Sequence, residues 1–428
     1  MTIFNKIKNA CLIVSSIVMV ISACNKAPLP AEPIAQPLQG TTPTLAMLLD
    51  NADSSFTFLK AAIVRAGLLP ALSVPNLRFT IFAPNNAAFM ASGIPSVAVI
   101  NSLPVATLAG LLSYHIIPQT ITASSIPTTF PNFEYPTILN PTGTSATPGF
   151  NPLVRLTIFP SRRGTSGWVN NIPITAFDIP AVNGVLHKVA ALVAPPITRS
   201  LWDTISNSTN LTFFKAAIQR ADSGVADAGK LQTALSTFGA NLTVLAPTDA
   251  AVQQFLAASI TQALIPIVIQ QLVPIVTAQL IAGGATPANA ALQAPVIAAA
   301  QAPAIAQGQA TALSASPAVF SNPLLYGSLT AQSVRGIVVY HILGTTIPGI
   351  RVFTVNIPTT ATAVKTLLNQ AIPPHPGLML QATFTGPFVT AATVKGAANP
   401  TAANFIFPAD INMLNGIMHR VDQLLRPQ

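Results

Sequence analysis

Two pairs of histidine motifs recur along this chain at nearly the same separation, and no other feature limits the fold as strongly. Leu112-Ser-Tyr114-His115-Ile-Ile precedes Asn183-Gly-Val-Leu-His187, and Val338-Val-Tyr340-His341-Ile-Leu precedes Asn415-Gly-Ile-Met-His419. The paired histidines stand 72 residues apart in the first copy and 78 in the second, which predicts a duplicated domain. Upstream, Thr57-Phe-Leu-Lys60-Ala-Ala-Ile63-Val-Arg65-Ala66 returns as Thr212-Phe-Phe-Lys215-Ala-Ala-Ile218-Gln-Arg220-Ala221. Between these blocks lie Phe79-Thr-Ile-Phe-Ala83-Pro84 and Leu242-Thr-Val-Leu-Ala246-Pro247.

The local pattern assigns elements to these blocks. Phe56, Leu59, Ile63 and Ala66 recur near the helical period, with Gly67 as the stop. The Ala-Pro runs read as strands ended by proline, and Asn85 or Thr248 caps a following helix. Leu108, Leu111, Leu112 and His115 share one helical face, as do Val334, Ile337, Val338 and His341, so the Tyr-His histidine belongs to a buried stripe. Hairpin-like strand patterns follow in both copies, and helices first with antiparallel strands later predict an α+β domain.

At the N-terminus, Lys6 and Lys8 precede an apolar stretch from Cys11 to Ile21, closed by the small residues of Ile21-Ser-Ala-Cys24. This is the pattern of a secretory leader. It also resembles the bacterial lipobox, which implies a lipid on Cys24; a plain signal peptide or an uncleaved anchor is the alternative. The expected organisation is a leader over 1–23, a Pro-rich lipid-anchored tether over 24–43, a first domain over 44–197 and a second over 198–428. The expected location is the bacterial cell envelope, at the outer membrane, with the periplasmic or external face open. Beyond Cys24 there is no cysteine, so no disulfide staples the folded part.

The second copy carries an Ala/Gln/Pro-rich insertion at about 256–330, and no residue between Asp249 and Arg335 is charged. Ile260–Ala282 is apolar enough to raise a membrane span, yet it contains Pro266, Pro274 and four glutamines. Broken helices packed on the second domain are the preferred reading, and an exposed part is an alternative partner surface.

Composition narrows the chemistry. Only 7% of residues are charged and 50% are apolar, which predicts ample cores beneath a neutral, hydroxyl-rich surface. The net charge of +9 falls to +7 without Lys6 and Lys8, and no basic run exceeds Arg162-Arg163. A nucleic-acid partner is not expected from so weak a field. Hydrolysis needs a nucleophile and base or paired carboxylates, whereas the chain beyond the leader holds two glutamates and nine aspartates and lacks the nucleophile-elbow, phosphate-loop and dinucleotide motifs. No enzyme, cofactor or metal is expected: no histidine pair has ligand spacing. Structural roles are assigned instead, with His115 and His341 orienting sheet against helix and His187 and His419 supporting the last strand. Phe130-Pro-Asn-Phe133-Glu134-Tyr135-Pro136 offers rings for a sugar face, against the plainer reading that they seal the first core. Arg162-Arg163 beside Trp168 reads as a solvated hairpin tip, with contact to an acidic polymer as the alternative.

Taken together, the Thr-x-x-Ala-Pro-x-x-x-Ala blocks, Tyr-His and Asn-Gly-x-x-His, in that order and twice, resemble the fasciclin-like domain family over about 380 residues. The resemblance implies two repeated fasciclin-like domains, each a wedge-like β-sandwich flanked by helices. It further implies adhesion, matrix contact or surface association, here through a non-enzymatic lipoprotein that binds a surface, protein or polysaccharide. An accessory glycan-binding lipoprotein of a polysaccharide uptake system is the alternative. By the same resemblance the binding candidates are Tyr114, His115, Asp178, Ile179, Tyr340, His341, Asp410 and Ile411, with Phe133 and Tyr135 added from the aromatic segment; flanking residues such as Phe177, Pro180, Ala409 and Asn412 depart from the animal pattern.

Overall fold

The computed structural model describes residues 43–51, 54–128, 130, 133–141 and 154–427; the leader, Cys24 and nearly all of the tether lie outside them. Each repeat begins with helices whose apolar stripe is buried. Thr57–Arg65 buries Leu59, Ala62 and Ile63, and the chain leaves it through Gly67 at φ 70°, a left-handed conformation open to glycine at no steric cost. Thr212–Ala221 buries Phe213, Phe214, Ala217 and Ile218 in the same way.

In the first repeat the strands are β1 (Phe79–Pro84), β2 (Ile116–Ile117), β3 (Tyr135–Pro136), β4 (Thr157–Ile158), β5 (Pro160–Arg163), β6 (Ser166–Val169), β7 (Ile172–Ala181) and β8 (Gly184–Val189). Six of them form a sheet ordered β2-β1-β8-β7-β6-β5, and β3 pairs with β4. The second repeat has β9 (Leu242–Pro247), β10 (Ile342–Leu343), β11 (Thr362–Val364), β12 (Leu378–Thr385), β13 (Phe388–Lys395), β14 (Ala403–Met413) and β15 (Gly416–Val421). Their order, β10-β9-β15-β14-β13-β12-β11, repeats the first arrangement and extends it by one strand.

One pairing in each repeat differs from the antiparallel expectation. β1 runs parallel to β8, with Ile81 opposite Leu186, and β9 runs parallel to β15, with Val244 opposite Met418. A parallel pair needs a long crossover, and here the Tyr-His helix and the remaining strands supply it. Alternate side chains of these central strands enter two cores. Ile81 and Leu186 meet the helices together with Leu59, Ile63 and Leu112; Phe82 and Val189 face the other way, onto Tyr114, Ile117, Ile158 and Val169. The second repeat divides likewise, with Val244, Val338 and Met418 on the helical side and Leu245, Tyr340, Leu380, Val394 and Val421 on the other. The mixed α+β architecture with two like domains is therefore as the sequence predicts.

The insertion is helical, but unbroken. Asp249–Ala282 and Pro287–Ser314 form an antiparallel hairpin, each continuing through two internal prolines. Buried residues recur every fourth position: Leu256, Ile260, Leu264 and Val268 on one helix, and Ala290 through Ala310 on the other. Only the base joins the domain core, through residues up to Leu272 and again from Ala302. By length and composition alone, the first of these helices is sufficient to cross a membrane.

Candidate functional site

The repeated motifs converge on one buried frame in each domain. His115 follows the last residue of helix Val105–Tyr114; its Nδ1 donates to the Leu111 carbonyl at 2.8 Å and its Nε2 accepts from Val193 N–H at 2.9 Å. His341 does the same with the Ile337 carbonyl and Leu425 N–H. One nitrogen must donate and the other accept, so each ring is neutral and its tautomer fixed. Burial pushes both imidazoles down to about 4. Tyr114 and Tyr340 are fully buried. Their hydroxyls donate to the carbonyls of Thr157 and Gly377 and accept from Asn170 Nδ2 and Ala397 N–H.

Asp178 and Asp410 occupy left-handed backbone, φ 56° and 58°, where register shifts mark bulges in β7–β8 and β14–β15. Asp178 accepts from Ala123 N–H, and Asp410 accepts from both the N–H and the hydroxyl of Thr354. Each carboxylate thus anchors the 3-10 turn of its own domain. The same aspartates donate their N–H to Nδ1 of His187 and His419, whose Nε2 donates to the carbonyls of Ile121 and Val352. Burial, the largest influence, lowers both of these imidazoles as well. Ile179 and Ile411 pack on the helical-side cores.

The Asn-Gly pairs have equally local causes. Asn183 holds Leu45 N–H and the Leu72 carbonyl, and Asn415 holds Leu201 N–H and the Leu235 carbonyl. A Cβ on Gly184 would stand 1.9 Å from the Phe79 carbonyl oxygen, and one on Gly416 2.3 Å from that of Leu242. Only glycine lets the parallel strands meet there.

The aromatic segment does not act as one platform. Tyr135 packs on the first domain's inner core, Phe130 packs on the second domain's, and Phe133 is 58% exposed. Phe133 adjoins Glu134, which accepts from Asn241 at 3.4 Å. Arg163 is likewise not a solvated tip. Its Nη2 donates to the carbonyls of Val355 and Ile357 in the other domain, and its guanidinium lies 4.4 Å from the Phe384 ring centre. Trp168, buried, donates its indole N–H to the Pro387 carbonyl at 2.7 Å. Sequence reasoning missed this seam between the domains; the adjacent Arg162, Arg163 and Trp168 were its one visible sign. Among the described residues no group of three or more His, Cys, Asp or Glu is placed to hold a metal ion.

Residues 54–195 match the family model of the fasciclin domain. That stretch of the chain is similar to a fasciclin domain. The chain is 28% identical to the pig transforming growth factor-beta-induced protein ig-h3 over a match covering 41% of this chain and 23% of that protein. It is 29% identical to Protein sll1483 of Synechocystis over 34% of this chain and 70% of that protein. The chain therefore spans about a quarter of the pig relative's length. A solved fasciclin domain pair from the insect cell adhesion molecule fasciclin I superposes with a TM-score of 0.32 at 13% identity, covering 86% of this chain and 95% of that one. The fasciclin-like match takes in every motif of the first frame, and the second frame repeats its histidine bonds with the same kinds of partner.

Proposed function

We propose that the chain is a non-catalytic binding protein of the bacterial cell envelope, held to the outer membrane by a lipid on Cys24 and adhering to a surface, matrix or polysaccharide. One observation carries the non-catalytic reading: all four motif histidines are buried, and both ring nitrogens of each are bonded to backbone. General base catalysis needs an imidazole within reach of substrate and titrating near the working pH, and these rings meet neither condition. The fasciclin match supports a binding role, and tandem domains on one anchor add weak contacts by avidity. A lipid-modified cysteine carrying more than one acyl chain gives a stable membrane hold.

The glycan-accessory role is the second reading. It is favoured by Phe133, whose exposed ring beside Glu134 suits the apolar face of a sugar. The test is a glycan and matrix-polymer array probed with the whole chain carrying Cys24→Ser. Saturable binding is expected, weakened by Phe133→Ala if the accessory role holds and indifferent to His115→Gln wherever that variant stays folded. Turnover of a bound polymer, abolished in a folded His115→Gln or His341→Gln chain, would replace this reading with an enzyme.

A further inference from the structure

The seam between the domains contains a cleft of about 210 Å³, walled by β5 and Phe130 of the first domain and by residues 355–360 of the second. Arg162, Arg163, Ser161 and Trp168 line one side; Asn356, Thr359 and Thr360 line the other. No lining residue is acidic. Two arginines line this small space and no carboxylate does, which leaves a positive potential uncancelled there.

A second, independent observation points the same way. Ser161 is 5% exposed, and its hydroxyl, together with Nε of Arg162, is buried with no hydrogen-bond partner among the described residues. An unsatisfied buried donor costs roughly 1–3 kcal/mol, and more where the group is charged. Natural folds rarely keep two such groups in one place unless something else meets them. Arg163 is already committed to the Val355 and Ile357 carbonyls, so it fixes the width of the cleft while Arg162 and Ser161 remain to receive a ligand.

We infer that this cleft is a binding site for an oxyanion carried on a sugar, a carboxylate or a sulfate ester, belonging to one residue of an acidic polysaccharide. The guanidinium of Arg162 meets the oxyanion, for which its planar fork is suited. The Ser161 hydroxyl donates to it, the exposed hydroxyls of Thr128, Thr359 and Thr360 meet sugar hydroxyls at the rim, and Phe130 offers an apolar face. The volume lies below the ~300 Å³ at which drug-sized pockets begin, so it admits one sugar unit of a chain that continues outside. This site deepens the adhesion reading and rests on the chain being a binding protein. Because both domains line it, the ligand also ties them together.

The experiment titrates polygalacturonate, dextran sulfate and neutral dextran into the whole Cys24→Ser chain, with Arg162→Gln, Ser161→Ala and Arg78→Gln variants alongside. Arg78 is the control, since among the described residues its guanidinium donates to the nearby Pro75 and Leu77 carbonyls and takes no part in the cleft. At least one acidic polymer is expected to bind, more weakly as salt rises, and the preferred one identifies the oxyanion. Arg162→Gln is expected to weaken binding by about tenfold or more, the worth of a charge-assisted bond. Ser161→Ala loses less, and it keeps the test open should the arginine variant misfold. Equal binding of neutral dextran, or unchanged affinity in both cleft variants, overturns the site while leaving a binding protein in place. If no polysaccharide binds but a protein on the matrix array does, the cleft proposal falls and the adhesion reading survives.

Discussion

At the scale of single residues, a buried imidazole that must stay neutral ties the fold to pH. His115 and His341 titrate near 6.5 when unfolded and are pushed down to about 4 by burial when folded. Between those values the unfolded chain binds protons that the folded chain refuses. Stability is therefore full above about pH 6.5 and is lost as pH falls toward 4, by on the order of 3 kcal/mol per histidine. His187 and His419 add to the loss in the same direction. We expect denaturant unfolding at pH 7.5, 5.5 and 4.5 to show this decline. In His341→Gln, stability should start lower at pH 7.5, because Leu425 N–H or the Ile337 carbonyl loses its partner, yet the decline toward pH 4.5 should be shallower. An unchanged slope would show that His341 does not stay neutral in the folded state. The burial of these rings was legible in the helical stripe containing each histidine. The role of Asp178 and Asp410 was not, because a carboxylate at a bulge that caps a turn 55 or 56 residues away has no local signature.

At the scale of elements, the hairpin sets proline's cost against burial. Pro266 and Pro274 each remove a helical hydrogen bond, at about 3 kcal/mol in an isolated helix interior, which is why the sequence predicts a break. Leu256, Ile260, Leu264 and Val268 bury against the partner helix and the domain, each contributing roughly 1.5–3 kcal/mol. That sum matches or exceeds the two penalties, and the prolines stand on the exposed side. Beyond Leu272 the hairpin leaves the domain core, so replacing residues 273–301 with a short Gly/Ser turn should leave the melting temperature within a few degrees. Ala306→Phe, at the buried base, should lower it sharply, since overpacking costs about 1–3 kcal/mol. Thermal unfolding followed by circular dichroism separates the two; a collapse on removing the distal part would mean that it supports the domain after all. Strand positions were readable from alternation and from the Ala-Pro stops. The parallel joining of β1 to β8 was not, because local pattern carries no information on a partner about a hundred residues away. Only the Asn-Gly pair, placed where two backbones touch, hinted at it.

At the scale of the whole molecule, two domains that could turn independently are fixed by a core of their own. Phe159 and Trp168 from the first domain and Phe353, Val355 and Ile417 from the second form one buried cluster, with the Phe159 and Phe353 ring centres 5.6 Å apart. Arg351, buried and within electrostatic reach of the Glu134 carboxylate of the first domain, lies 5.1 Å from the Phe159 ring centre and donates to Asn241, Asn412 and the carbonyls of Met413 and Leu414. These acceptors all lie in the second domain, so what Arg351 adds across the seam is its stacking on Phe159, and parting the domains would expose the shared apolar cluster to water. It follows that the two domains unfold together, in a single calorimetric transition whose van't Hoff and calorimetric enthalpies agree. Truncating Phe353 to Ala removes about 3–5 kcal/mol of packing, all of it at the seam and none of it from the helical-side cores. In Phe353→Ala the single transition should split in two, each assignable by its presence in an isolated half. If it merely shifts to lower temperature without splitting, the domains are coupled by more than this cluster, and Ile197 N–H to the Asn412 carbonyl and Arg163 to the Val355 and Ile357 carbonyls become the contacts to break next.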